Sequence, residues 1–421
     1  MNSLQSPSSG SPDDAPSVEV GPGLLRLDGV RVAAVTGTRA SRAGDGVAAA
    51  LAAAVLTGDS SALGARAGRV SVVADATVGS PAPTGDERAI GVDMTNWSVV
   101  VDEAWVVKVV SEWNGADRAA RLLARLAEHA STVIPRFVGR VDWTLPGRGT
   151  STVALVREAV AGAADGWTWA VDDLLSLIDG GQEPEWPTQL GALAAALHRD
   201  LLLPVAADGP PASAPSGAST GFALRERANG ALDAALSAMT GAVGIRLGNR
   251  EASLRAAIAS LPDFPDAEQF EGHGDLHVGQ ILRSEDGRLW VIDFDGDPQL
   301  SAQQRERADF AARDLAHLLT SVDLVGSIVR RRRPGSDERV LAWTRSARAA
   351  LLAAYRAGSA HPLDERLLPG FEAEQLVREL LYARRYLPRW EYAADAAITA
   401  RYSPTPDSPE DPWTPPVFST T

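Results

Sequence analysis

Asp275, Gln280 and Asp293 stand in the order that phosphoryl transfer to an alcohol needs: a carboxylate to take the hydroxyl proton, an amide five residues on, and a second carboxylate ending a short apolar strand. They belong to two blocks, HGDLHVGQ from His273 and DFDGD from Asp293, which flank a small hairpin. Asp275 can accept a hydroxyl proton. Gln280 offers a neutral oxygen, and Asp293 a hard carboxylate, to a divalent ion such as Mg2+. His273 and His277 would shape the loop by hydrogen bonds, and Asp295 adds another acid to the turn. Taken singly, an Asp-Leu-His loop or an acidic turn after a strand is common, so their conjunction carries the reading. The twelve-residue calcium loop with its closing Glu is missing, and the two histidines lack the spacing of a zinc-binding helix.

The elements that must position these groups begin upstream. From Ile90 the chain reads IGVDMTNWSVVVDEAWVVKVV, two β-rich runs joined at Asp102-Glu103 as a hairpin. Its first turn, Met94 to Ser98, offers small polar groups, Asn96 and Ser98 among them, where a phosphate-covering loop would lie. Lys108 ends the second run between valines; there it either meets an anionic partner, because a buried ammonium is costly alone, or reaches water from an edge strand. A helix over 117–129, strands VIPRFVGRVDW and TVALVREAV, and a linker at Arg157 to Val160 follow. That linker is where a hinge would present backbone groups to an adenine. A further helix over 170–178 precedes a mostly helical remainder. In it, LGALAAALHRDL has one apolar face and carries His198 near its end, a candidate substrate contact. Helical stretches are predicted over 222–239, 250–260, 305–332, 337–357 and 370–400.

The predicted fold class is α+β, bilobal and protein-kinase-like, with an extra N-terminal cap and a mostly helical C-lobe. Residues 1–17 read as a disordered leader, 18–88 as the cap, 89–160 as the N-lobe with its hinge, and 161–421 as the C-lobe with the catalytic and sugar sites. The segment 203–220 is Pro/Ala/Ser/Gly-rich and reads as a surface loop, and the tail after 402 is proline-rich.

A net charge of −14 disfavours nucleic-acid and anionic-membrane partners and suits a neutral or cationic substrate. Zero cysteines remove disulfides and thiolate metal sites. No apolar run approaches the roughly 20 residues of a membrane span, and the first twenty residues lack the pattern of a secretory signal. A cytoplasmic protein is expected; its oligomeric state is not specified.

HGDLHVGQILR and WVIDFDGDP resemble the catalytic region of the aminoglycoside-phosphotransferase-like, eukaryotic-kinase-like superfamily, and within it the actinobacterial maltokinases. The resemblance extends over about 90 to 390, through TNWSVVVDEAWVVKVV, LVREAVAGAADGWTWAVDDL and the segment starting at Arg313. It implies Asp275 as catalytic base, Gln280 and Asp293 as Mg2+ ligands, Lys108 on the ATP phosphates, and Glu158 and Val160 as the hinge meeting adenine. One departure concerns the helix after Lys108, where Arg121 stands in place of the lysine's usual acidic partner; Asp117 or Glu112 would replace it. The C-terminal segment YLPRWEYAADAAITARY departs from maltokinases by placing Glu391 and Asp395 beside Trp390 and Tyr392. An aromatic platform beside carboxylates suits a sugar bearing an ammonium group. The whole pattern is more similar to the maltokinase-like glucosamine kinases, which implies ATP-dependent phosphorylation of glucosamine on its 6-hydroxyl. Maltose 1-phosphorylation is the first alternative, then an aminoglycoside phosphotransferase, and from another class a nucleotide-binding pseudokinase. The same acids would also fit the solvated face of a last helix.

Overall fold

The structure, a computed structural model, describes residues 18–21, 24–27, 30–34, 43–44, 46–61, 63–65, 68–74, 83–90, 97–110, 117–147, 149–203 and 220–405. The expected leader, Asn96, Glu112, most of the Pro/Ala/Ser/Gly-rich segment and the tail beyond Thr405 lie outside them. Contacts divide the chain into two compact units, Met1–Ala127 with Ile134–Ala161, and Glu128–Val133 with Gly162–Thr421.

The first unit runs β1 (Val18–Gly21), β2 (Leu24–Leu27), β3 (Val30–Ala34), α1 (Val47–Thr57), β4 (Leu63–Ala65), β5 (Arg69–Ala74), β6 (Glu87–Ala89), β7 (Trp97–Val101), β8 (Trp105–Val109), α2 (Arg118–Glu128), β9 (Phe137–Leu145) and β10 (Gly149–Glu158). One sheet has the order β3-β2-β1-β4, with β1 and β4 parallel. The other has the order β5-β9-β10-β8-β7-β6. Alternating valines of its strands, among them Val99, Val107, Val141 and Val156, bury one face against Val47, Leu51 and Val55 of α1. Gly46 gives α1 no side-chain cap. The Glu87 carboxylate of β6 takes that role, accepting from the backbone N–H groups of Gly44, Gly46 and Ala49 at 2.7, 3.2 and 2.9 Å. Thus β5 and β6, from the segment expected as a separate cap, are strands of the same sheet as the Lys108 hairpin.

That hairpin turns at Asp102 and Glu103, with φ of 52° and 51°, the left-handed pair of a type I′ turn. The Asp102 carboxylate fixes the turn by accepting from the N–H groups of Thr84, Gly85 and Asp86 and from the Thr84 hydroxyl. Its register sets Lys108, half-buried, between Ser98 on β7 and Leu155 on β10.

The second unit is mostly helical: α3 (Gly166–Ile178), α4 (Trp186–Leu202), α5 (Gly221–Ala238), α6 (Gly241–Asn249), α7 (Glu251–Ala259), β11 (Gln269–Phe270), β12 (Ile281–Arg283), β13 (Leu289–Val291), α8 (Ala302–Arg305), β14 (Asp309–Phe310), α9 (Ala311–Arg332), α10 (Asp337–Gly358), α11 (Leu368–Tyr386) and α12 (Glu391–Arg401). α3 begins earlier than its sequence suggests because Asp165 caps it, accepting from Thr168 N–H at 3.1 Å. α9 is buried along most of its length, from Ala312 to Val329. The stretch expected as one helix over 370–400 breaks at Leu387, before Pro388, whose ring cannot continue the ladder. Among the described residues, no helix is long and apolar enough to cross a membrane.

Candidate active site

The short pair β11–β14 and the hairpin β12–β13 frame the catalytic loop of the second unit. Ile281 pairs with Val291, and Ile292 N–H donates to the Gln280 carbonyl at 2.9 Å. This register brings Gln280 and Asp293 to the same end of the hairpin. Asp293 has φ +63°, a left-handed conformation that Asp tolerates better than most residues and that turns the chain away from the strand.

His273 is fully buried and builds the loop. Its Nδ1 accepts from Asp275 N–H at 3.3 Å, so the ring proton sits on Nε2 and is donated to the Ile292 carbonyl at 2.9 Å. Burial pushes its pKa down, outweighing the nearby Asp314 carboxylate, and the neutral ring is the form these two bonds require. Asp314, on α9, accepts from His273 N–H at 2.7 Å and Gly274 N–H at 2.8 Å. His198 Nε2 meets the same carboxylate at 3.1 Å while its Nδ1 meets the Tyr355 hydroxyl at 2.9 Å. Burial works against ionisation of Asp314, but the His198 hydrogen bond, the His198 and His273 rings and the Gly274 N–H hold it well below the usual carboxylate range. His198 is thus occupied at both nitrogens and 2% exposed. The structure places this expected substrate contact beneath the loop, as a support.

Asp275 lies between two imidazoles, 3.7 Å from His277 Nε2 and 3.5 Å from His317 Nδ1. His277 Nδ1 accepts from Gly279 N–H at 3.0 Å, which directs its Nε2 proton toward Asp275. Burial alone would raise the Asp275 pKa, but His277, His317 and His273 lower it to about 2. The Asp275 carboxylate is therefore ionised near neutral pH. Gly279 and Gly166 are required here by close approach. A Cβ at Gly279 would meet Trp167 Nε1 at 2.4 Å, and one at Gly166 would meet the Val278 carbonyl oxygen at 1.6 Å.

α11 contributes a carboxyl that sequence reasoning missed. Glu379 accepts from Gln375 Nε2 at 2.8 Å and lies close enough to Asp275, His277 and His317 to interact with them electrostatically. Burial raises its pKa, with Asp275 adding to the rise. Tyr382, one turn on, is likewise raised by burial and by Asp275 and Glu379. On the same helix Arg378 donates to Asp297 at 2.5 Å, closing the turn after β13. In sequence Glu379 stands beside Arg378 in a helix rich in charges, so no signal singles it out.

The acids expected to meet an ammonium group are engaged elsewhere. Asp395 is buried in a bidentate pair with Arg246, and Glu391 lies 3.1 Å from Arg384. Trp390 stacks on Tyr392 at 6.2 Å, with the Arg331 guanidinium 4.4 Å over the Tyr392 ring. In the first unit, Glu158 receives Arg136 Nε at 2.8 Å and its own N–H donates to the Arg136 carbonyl. Val160 follows it, half-buried. Asp117 caps α2 through Ala120 N–H at 3.1 Å, the helix that carries Arg121.

No protein-family model matches the chain. A glucosamine kinase from Streptacidiphilus jiangxiensis is 38% identical over 305 residues, 70% of this chain and 68% of that one. A glucosamine kinase from Mycolicibacterium smegmatis is 31% identical over 313 residues, covering 71% and 75%. Among solved structures, a glucosamine kinase in complex with glucosamine, ADP and inorganic phosphate superposes with a TM-score of 0.71 at 33% identity, covering 92% of this chain and 90% of that one. A second crystal form of a glucosamine kinase gives 0.73 at 34%. The α+β, kinase-like class expected from the sequence is the fold these structures share. With such identity across more than two thirds of both sequences, the chain belongs to the glucosamine kinase family.

Proposed function

We propose that the protein transfers the γ-phosphoryl group of ATP to the 6-hydroxyl of glucosamine. In a chain of this family, the observation that carries the reading is the Asp275 carboxylate set between His277 at 3.7 Å and His317 at 3.5 Å, with the partly buried Glu379 carboxyl acting on the same groups. Asp275 accepts the hydroxyl proton as the acceptor oxygen attacks phosphorus. Glu379, which accepts from Gln375, takes the 2-ammonium group, the role expected of Glu391 and Asp395 from the C-terminal segment. A cationic sugar is the partner that would relieve a partly buried carboxylate. Gln280 and Asp293 fit Mg2+, since the hairpin brings one amide and one carboxylate oxygen to the same end and Mg2+ takes few protein ligands beside waters and phosphate. When bound, the ion neutralises phosphate charge. Lys108 and Ser98 are assigned to the nucleotide phosphates, and the backbone at Glu158 and Val160 to adenine.

The test is sugar-dependent ADP release with Mg2+ and ATP against glucosamine, glucose, maltose and an aminoglycoside, with phosphorus NMR locating the product phosphate. Turnover of glucosamine to the 6-phosphate is expected; turnover of maltose alone would replace the reading with 1-phosphorylation. Glu379→Gln should raise KM for glucosamine by roughly tenfold or more, a loss of about 1.4 kcal/mol, while KM for glucose stays within about twofold. Equal losses for both sugars would move ammonium recognition elsewhere. Because the Glu379 pKa is raised, its carboxylate forms later than usual, and KM for glucosamine should fall as pH rises through that value.

A further inference from the structure

The long burial of α9 means that each polar side chain along it has to be matched by something it touches. Asp314, His317 and Ser321 stand on one stripe at i, i+3 and i+7, and each meets a different part of the catalytic loop. Asp314 holds the N–H groups of His273 and Gly274, and Ser321 Oγ accepts from Val278 N–H at 3.1 Å. Between them, His317 sets Nδ1 3.5 Å from Asp275 Oδ1. The ring is 3% exposed, and Nδ1 has no well-directed hydrogen bond among the described residues. The helix therefore grips the loop backbone on both sides of the reacting carboxylate and presents one buried donor to the carboxylate itself. At 3.5 Å the two groups are in charge contact, at the outer limit of a hydrogen bond.

We infer that His317 is the positioning residue for the base: its charged ring holds the Asp275 carboxylate ionised and oriented toward the acceptor hydroxyl, closing to a hydrogen bond when the sugar binds. This deepens the phosphotransfer reading and rests on it. The hydroxyl proton goes to Asp275; His317 keeps its proton throughout, and no bond to the ring is made or broken. Around the ring lie Asp275, His277 and His273 from the catalytic loop, Asp297 from the turn after β13, Asp314 from its own helix and Glu379 from α11. Burial lowers the His317 pKa, but the Asp275 contact and the charges of Asp275, Asp297 and Asp314 raise it above 6.5 overall. The ring's charge is thus present below that pH and is lost as pH rises through the raised value.

Two measurements test this. The first follows the ring protons of the six histidines by NMR against pH in the full-length protein, with the His317 signal assigned by its loss in His317→Gln. In Asp275→Asn the His317 midpoint should fall by roughly a unit or more, the shift an opposite charge within contact distance produces; an unmoved midpoint overturns the inference. The second compares kcat against pH. His317→Gln should lower kcat by roughly 100-fold, as a misplaced catalytic group does, and abolish the fall in kcat on the alkaline side that loss of the ring's charge produces in the wild type, with KM for ATP unchanged. A loss of kcat with the alkaline limb unchanged would make the role merely structural. The titration needs no turnover, so a protein inactive toward every sugar would defeat the kinase reading while leaving the coupling measurable. If His317→Gln fails to fold, assignment by His317→Asn keeps the first measurement decisive.

Discussion

Asp275→Asn is expected to lower kcat for glucosamine phosphorylation by about a thousandfold, within the range that removing a general base produces. The amide matches the carboxylate in size, but it cannot accept the hydroxyl proton and carries no charge for His277 and His317. The loop itself should survive. Its backbone is held by Asp314 and Ser321, and its other wall by the His273 bond to Ile292, none of which uses the Asp275 side chain. Nucleotide affinity, read by titration calorimetry, should stay within about threefold, while thermal stability at neutral pH should fall, because the fold holds the Asp275 pKa down to about 2 and so favours the charge that the variant removes. Full activity in the variant would remove Asp275 from its role. A matched loss of activity and nucleotide affinity would show that the substitution had collapsed the loop.

Asp314→Ala should act mainly through stability. It strips the acceptor from two buried backbone N–H groups and from His198, each of which then lacks its partner. Breaking one side of such a buried charged network costs about 3–5 kcal/mol, which corresponds to a fall in Tm of roughly 10 °C for a unit of this size. The pH dependence has a definite sign. The folded-state pKa of Asp314 is lowered from 3.8, so its contribution is complete above that value and is lost as pH falls below it. Wild type and variant should therefore differ most near neutrality and converge in acid. A constant gap in Tm down to strongly acidic pH would mean that the Asp314 charge is not what holds the loop.

The two blocks of the candidate site were legible as one unit because their members are near neighbours in sequence. Asp275, Gln280 and Asp293 are tied together by one hairpin whose apolar strands show in the residues themselves, and Lys108 sits in an equally plain run of valines. Helix positions followed from apolar spacing, and the misplaced start of α3 came from overlooking Asp165 as a cap. What stayed hidden depends on contacts between distant segments. Asp395 reads as a free carboxylate because Arg246, far upstream, has no sequence signature as its partner, whereas the partner of Glu391, Arg384, stands only seven residues before it and was legible. His198 read as a substrate contact because Asp314 and Tyr355, which occupy both its nitrogens, lie on other helices. His317 was within reach, a titratable residue in the apolar run LAHLL, whereas Glu379 stands beside Arg378 in a helix rich in charges and carries no such mark.

Both outer strands of the six-stranded sheet, β5 and β6, come from the chain preceding Ile90, while the hairpin that carries Lys108 lies inside them. The N-terminal segment is therefore a hem sewn along the two borders of the sheet. A chain begun at Ile90 would keep every residue assigned to chemistry, yet present two raw strand borders with open N–H and C=O groups, and α1 would be gone from its apolar face. Such a truncation should come out as aggregate on size-exclusion chromatography. The N-terminal region and the Lys108 hairpin thus form one sheet that folds as a unit.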